Sequence, residues 1–197
     1  MKKVFILLLI AISNTAISQI TVSAIPYQYI PKEKTNIEEF VNSKGKQIRK
    51  DVSIIYKQKE SSGNSNFDFL KIVATDILSS KKMNGIYLSV TLGINAKSPQ
   101  FYSYIDEDEI KGVINFLELI IEKSKSTESS AVEYVYNTKN IQISMMNFYK
   151  DWDSKEEIKI KEWKYMFLLN ELPNNEFRWY TLEKIIELKN SLNELKF

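Results

Sequence analysis

The chain has 197 residues, is 44% hydrophobic and 12% aromatic, and carries 27 basic against 25 acidic side chains. This is a globular composition, long enough for a core of its own without staples. It contains no cysteine and no histidine, which excludes disulfides, Ser-His-Asp and Cys-His nucleophile systems, histidine acid–base work and the usual zinc ligand sets. Its two arginines, Arg49 and Arg178, leave no electrostatic footprint for nucleic acid.

Lys2 and Lys3, the apolar run from Val4 to Ile12, and Ala16-Ile17-Ser18 before Gln19 follow the order of a secretory signal peptide, which predicts cleavage of residues 1–18. The run is shorter than the roughly 20 residues of a spanning helix, so no membrane span is expected after cleavage. Cleavage takes two lysines and no acids, leaving 25 basic (27 − 2) and 25 acidic groups and a formal charge of zero. The leader and the Lys-, Asn- and Ile-rich composition resemble those of uncharacterised exported proteins of Bacteroidota. The resemblance covers leader and composition only. It implies a periplasmic or extracellular location and carries no function with it.

Residues 19–50 read as an N-terminal extension. Pro26 and Pro31 bracket Tyr27, Tyr29 and Ile30, which suggests extended chain, and Asn36 is placed to cap a short helical turn through Phe40. A single α+β domain is expected over 51–197. Val52 to Lys59 and Phe67 to Leu78 are rich in β-branched and aromatic residues around a polar turn at 60–66, and form a hairpin. Asn84-Gly85 marks a second turn. Ile86, Leu88, Val90 and Leu92 then alternate with Tyr87, Ser89 and Thr91 as a third antiparallel strand.

The short segment from Phe101 to Ile105 leads into the best-signalled helix of the chain. Asp106 is positioned as its cap, Glu109 completes a capping box, and Ile110, Val113, Ile114, Leu117, Ile120 and Ile121 form a wide apolar stripe. Beyond the polar linker at 124–130 the pattern restarts. Strands are expected at 131–137, 141–149 and 157–170, the last as one long or two short pieces. A final helix follows, capped by Thr181 with Leu182, Ile185, Ile186, Leu188, Leu192 and Leu195 on its stripe.

Phe101-x-x-Tyr104 and Phe177-x-x-Tyr180 both precede a helix, 76 residues apart (177 − 101). That offset suggests a tandem pseudo-repeat of β-β-β-α units with halves at 51–124 and 131–197, the two helices packed on one face of the antiparallel sheet. Two unrelated runs of strands, each ended by a helix, is the alternative reading.

The chemistry left to a chain without histidine or cysteine is paired carboxylates, a Ser-Lys system or oxygen-only metal binding. Asp106 to Glu109 is the most acidic run, but consecutive carboxylates at a helix start diverge, so capping is expected there and no metal or cofactor site is assigned. Ser61 and Ser62 near Lys57 and Lys59 read as turn residues rather than a dyad. Tyr149, Asp151, Trp152 and Asp153 are the candidate ligand-binding residues, since an indole flanked by carboxylates suits a sugar ring or an apolar anchor. The alternative is that Trp152 folds over the sheet edge. Trp163, Tyr165 and Phe167 share one strand parity and are expected in the core, with Trp179 nearby.

Phe67-Asp68-Phe69-Leu70 and Ala131 to Tyr136 carry bulky groups on both parities, so part of the face without helices is expected to be apolar and aromatic, covered in part by 19–50. The resulting expectation is a non-enzymatic protein that binds a protein, peptide or glycan through that face or the Trp152 loop. A carboxylate-only glycan hydrolase and a structural subunit of an envelope complex are the competing readings.

Overall fold

A computed structural model of the chain describes residues 33–59, 65–92, 100–149, 159–169 and 177–197. The order of elements is α1 (Asn36–Val41), β1 (Ile48–Lys59), β2 (Ser65–Asp76), β3 (Lys82–Leu92), β4 (Gln100–Asp106), α2 (Glu107–Lys123), β5 (Glu133–Asn137), β6 (Ile141–Tyr149), β7 (Lys159–Leu169), β8 (Phe177–Tyr180) and α3 (Leu182–Asn193). The fold is α+β. Its strands divide into two antiparallel four-stranded meanders, β1-β2-β3-β4 and β5-β6-β7-β8, each followed by a helix.

Each half therefore has four strands before its helix, not three. β4 and β8, read from sequence as approaches to their helices, are strands paired with β3 and β7. In β4 the alternation is period two: Ile105 is buried with the main core and Phe101 packs against it, while Tyr102 and Tyr104 point the other way. Most elements of the two halves keep a near-constant offset, with β2 and β6 beginning at 65 and 141 and α2 and α3 at 107 and 182, while β1 and β5 begin 85 residues apart (133 − 48). Within the segment expected at 157–170, the described residues 159–169 form one long strand, β7.

Asn84-Gly85 is not a turn. Both residues lie inside β3, opposite Val73 and Ile72, and the chain reverses instead at 77–80, where Ser80 takes the left-handed φ of 57°. Gly85 answers to packing. A Cβ there would lie 2.7 Å from the Ile105 carbonyl oxygen and 3.1 Å from Ile37 Cδ1, so only hydrogen fits. The cap of α1 is likewise shifted by one residue: Thr35 Oγ1 accepts the Glu38 N–H at 3.2 Å, in place of Asn36.

One main core joins both halves. Tyr56, Phe67, Phe69, Ile86, Leu88, Val90 and Ile105 of the first sheet meet Ile141, Ile143, Met145, Tyr165, Phe167 and Leu169 of the second. Phe167 sits edge-on to Phe69 at 6.0 Å and Tyr180 edge-on to Phe67 at 5.9 Å, so aromatic contacts stitch the sheets together. α2 buries Ile110, Val113, Phe116, Leu117 and Ile120, and α3 buries Ile185, Leu188 and Leu192. At about 1.5–3 kcal/mol for each large aliphatic side chain, these stripes hold the helices in place far more strongly than their caps do. The helices pack on each other and cross over: α2 also reaches β5, the first strand of the other half, and α3 reaches β1.

Phe116, outside the expected stripe, is buried and stacks on Tyr136 at 5.6 Å. That stacking brings the Tyr136 ring over Gly112, where a Cβ would lie 2.8 Å from its Cζ.

Candidate functional site

The two sheets differ on the faces turned away from the main core. In the second, Gln142, Ser144, Met146, Met166 and Leu168 alternate with the core residues and are buried as well. In the first, much of that face is open. Register places Ile54 of β1, Leu70 of β2, Tyr87 of β3 and Tyr104 of β4 in one row across it. Val52 lies two residues before Ile54, and Asp68, Ser89 and Tyr102 form the next row. Val52, Ile54 and Tyr102 are 48, 59 and 37% exposed, which is unusual for large apolar and aromatic groups grouped on one sheet face.

The tyrosines form a ladder. Tyr87 stacks on Tyr102 with ring centroids 5.2 Å apart and planes at 18°, and tilts against Tyr104 at 5.1 Å. The Tyr102 hydroxyl donates to Gln100 Oε1. Burial, reinforced by the neighbouring Tyr102 and Tyr104, pushes the Tyr87 phenol well above its ordinary range, so it stays a neutral hydrogen-bonding group. Burial raises the Asp68 carboxyl, with Lys57 pulling the other way. The surface combines aliphatic groups, aromatic edges and a few polar atoms.

The rest of the same face is closed by α1. Ile37, Phe40 and Val41 pack on Ile72 and Ala74, with Ile48, Met83, Tyr87 and Tyr104 around them, as a second core separate from the first. Ile37 lies over Gly85, where no side chain stands in its way. A six-residue helix has little stability of its own, so its position depends on what holds its ends.

Asp106 holds one end. It begins α2, and its own N–H donates to Glu109 Oε2 at 3.0 Å, the Glu109 half of the expected capping box. The well-formed bonds of its carboxylate run elsewhere: the N–H groups of Asn36 and Ile37 donate to it at 2.9 Å each, and Lys139 Nζ lies 2.7 Å away. The Lys139 N–H donates in turn to Glu109 Oε1 at 2.9 Å. Hydrogen bonding to Asp106 is the main reason the Lys139 ammonium is held above its usual range. Asp106 thus ties α1, the start of α2 and the β5–β6 turn together at one point, with its side chain 4% exposed.

Of the residues singled out from sequence, Tyr149 ends β6 opposite Lys159, while Asp151, Trp152 and Asp153 lie outside the described residues. Ser61 and Ser62 do as well. Tyr165 and Phe167 are in the main core, and Trp163 packs partly against it with its indole N–H donating to the Ser126 carbonyl at 3.0 Å. The tyrosine row was missed as a candidate site. Its only sequence signal is that Tyr87, Tyr102 and Tyr104 fall on the parity opposite the core residues of their strands. Among the described residues no group of three or more acidic side chains is placed to hold a metal ion. No described helix is long and apolar enough to cross a membrane.

These features define the class: an α+β protein of two four-stranded antiparallel meanders, each followed by a helix, with one sheet face left partly open. No family model matches the chain, and no curated protein matches it significantly.

Proposed function

We propose that this is an exported, non-enzymatic binding protein that holds a protein or peptide partner on the open face of its first sheet. The observation that carries this reading is the contiguous set of Val52, Ile54, Leu70, Tyr87, Tyr102 and Tyr104, an apolar and aromatic surface on a sheet whose other face is packed. A face destined only for water would be evenly charged. Tyrosines suit a binding surface because they offer area and a hydrogen bond with little rotamer entropy to lose. Export to the periplasm or the medium rests on the leader at 1–18. Asp106 and Glu109, neighbouring acids at the start of α2, direct their oxygens at backbone N–H groups and Lys139, so that pair lends no support to a glycan-cleaving reading.

Affinity-tagged full-length protein, recovered from the compartment to which the producing cell exports it, tests the proposal. Ile54→Asp and Tyr102→Ala are expected to lose a co-purifying partner that Ile186→Asp, at an exposed position on α3, retains. Equal recovery by all three variants would overturn it.

A further inference from the structure

At one end of the first sheet the β2–β3 turn presents two adjacent aliphatic side chains to solvent. Ile77 is 57% exposed and Leu78, at 72%, is the most exposed large apolar residue among those described. The turn that carries them is built. The Asp76 carboxylate accepts the Leu78 N–H at 3.1 Å and the Ser79 hydroxyl at 2.8 Å, and the Ile77 N–H donates to the Gln47 carbonyl at 2.8 Å. The Asp76 N–H closes the hairpin by donating to the Lys81 carbonyl at 2.9 Å. Leu78 is therefore held outward by hydrogen bonds on both sides rather than left there by a loose loop.

The surroundings are cationic. Lys44 and Lys46 come from the loop tied to Ile77 through Gln47, and Lys81 and Lys82 from the hairpin itself, all exposed. Lys46 Nζ also lies 4.8 Å over the Phe40 ring. The acids on the hairpin and the adjoining stretch of β1 are already engaged, Asp76 within the turn and Asp51 with Arg49 at 2.9 Å. An exposed aliphatic turn with lysines on its hairpin and on the adjoining loop fits poorly with a protein partner, because protein interfaces are broad and their centres are depleted in lysine. It fits a soft anionic surface, where lysines meet headgroups and short aliphatic side chains enter the acyl boundary.

We propose that this turn is a peripheral docking wedge for an anionic lipid bilayer, with Ile77 and Leu78 entering the interface and Lys44, Lys46, Lys81 and Lys82 contacting the headgroups. The wedge is independent of the binding face proposed above, and either can fail without the other.

Co-sedimentation of the protein, purified from the compartment to which the producing cell delivers it, with phosphatidylcholine vesicles holding about 30% phosphatidylglycerol tests it, with pure phosphatidylcholine as reference. Binding is expected to the anionic vesicles only, and to weaken as salt rises from about 0.05 to 0.5 M. Ile77→Ser with Leu78→Ser is expected to weaken it at least about tenfold. Lys81→Ala with Lys82→Ala is expected to do the same and to flatten the salt dependence, at about fivefold for each charge. All four positions are exposed, so circular dichroism is expected to show unchanged folding, and Ile186→Ser is expected to sediment like the wild type. Failure of the wild type to bind anionic vesicles would overturn the proposal. So would undiminished binding by the Ile77/Leu78 double variant, or a tip that captures a protein while ignoring vesicles.

Discussion

Replacing Asp106 by alanine removes one carboxylate from three elements at once. It leaves the N–H groups of Asn36 and Ile37 without the acceptor they reach at 2.9 Å, and takes from Lys139 the partner at 2.7 Å. Hydrogen bonds to a charged group contribute about 1.5–3 kcal/mol each, and breaking a buried pair from one side costs about 3–5 kcal/mol. The terms overlap, and the Lys139 side chain is 29% exposed and able to recover some hydration, so about 3–4 kcal/mol is expected. For a chain of this size that corresponds to a fall of about 10 °C in Tm. Urea denaturation of the protein carrying Asp106→Ala, Lys139→Ala or both measures it. The double variant is expected to be less destabilised than the sum of the singles by about 1–2 kcal/mol, the coupling of a direct contact. Hydrogen exchange at residues 36–41 is expected to accelerate in Asp106→Ala, because α1 loses its anchor. A loss below about 1 kcal/mol with no coupling would refute the assignment of Asp106 as the point that joins α1 to both halves.

Other outcomes follow from the same geometry. Gly112→Ala, which in an exposed helix stabilises by about 1 kcal/mol, is expected instead to destabilise by about 1–3 kcal/mol, because the new Cβ meets Tyr136. Adding Tyr136→Phe is expected to recover part of that loss in thermal melts. The Tyr56 phenol, raised from 10.0 to about 12 by burial and by Glu187, binds its proton more tightly in the folded protein. Its contribution is therefore full below pH 10 and lost as pH rises towards 12, so Tyr56→Phe is expected to lessen the alkaline fall in stability. Phe116→Ala is expected to cost about 3–5 kcal/mol in denaturant titration, although the residue lies beside the recognisable stripe of α2.

What could be read in the sequence was what depends on near neighbours. The α2 stripe, the Glu109 half of its capping box and the Thr181 cap of α3 all involve residues within two helical turns. The restart of the pattern after residue 130 was visible because both helices announce themselves in this way. β4 and β8 were harder. Their few residues sit directly before strong helix starts, so Phe101 and Phe177 read as approaches to helices until pairing with β3 and β7 is known.

Long-range geometry was not legible. The Asp106 carboxylate caps a helix that begins 70 residues earlier, and nothing local to Asp106 signals Asn36. Asn84-Gly85 has the chemistry of a turn, yet its glycine is required by the approach of Ile37 and of the Ile105 carbonyl. The open tyrosine face exists only because register aligns Tyr87 with Tyr104 and Leu70, and because α1 stops short of Tyr102. The candidate at Tyr149, Asp151, Trp152 and Asp153 rested on residue type alone, and it falls, apart from the backbone of Tyr149, outside the described residues.

Site-specific photo-cross-linking in the producing cell tests the binding face most directly. A photoreactive residue at position 54 or 102 is expected to yield one discrete adduct with a protein or peptide, and the same residue at position 118, on the exposed side of α2, is expected to yield none. Adducts from position 118 alone, or from none of the three positions, would contradict the account.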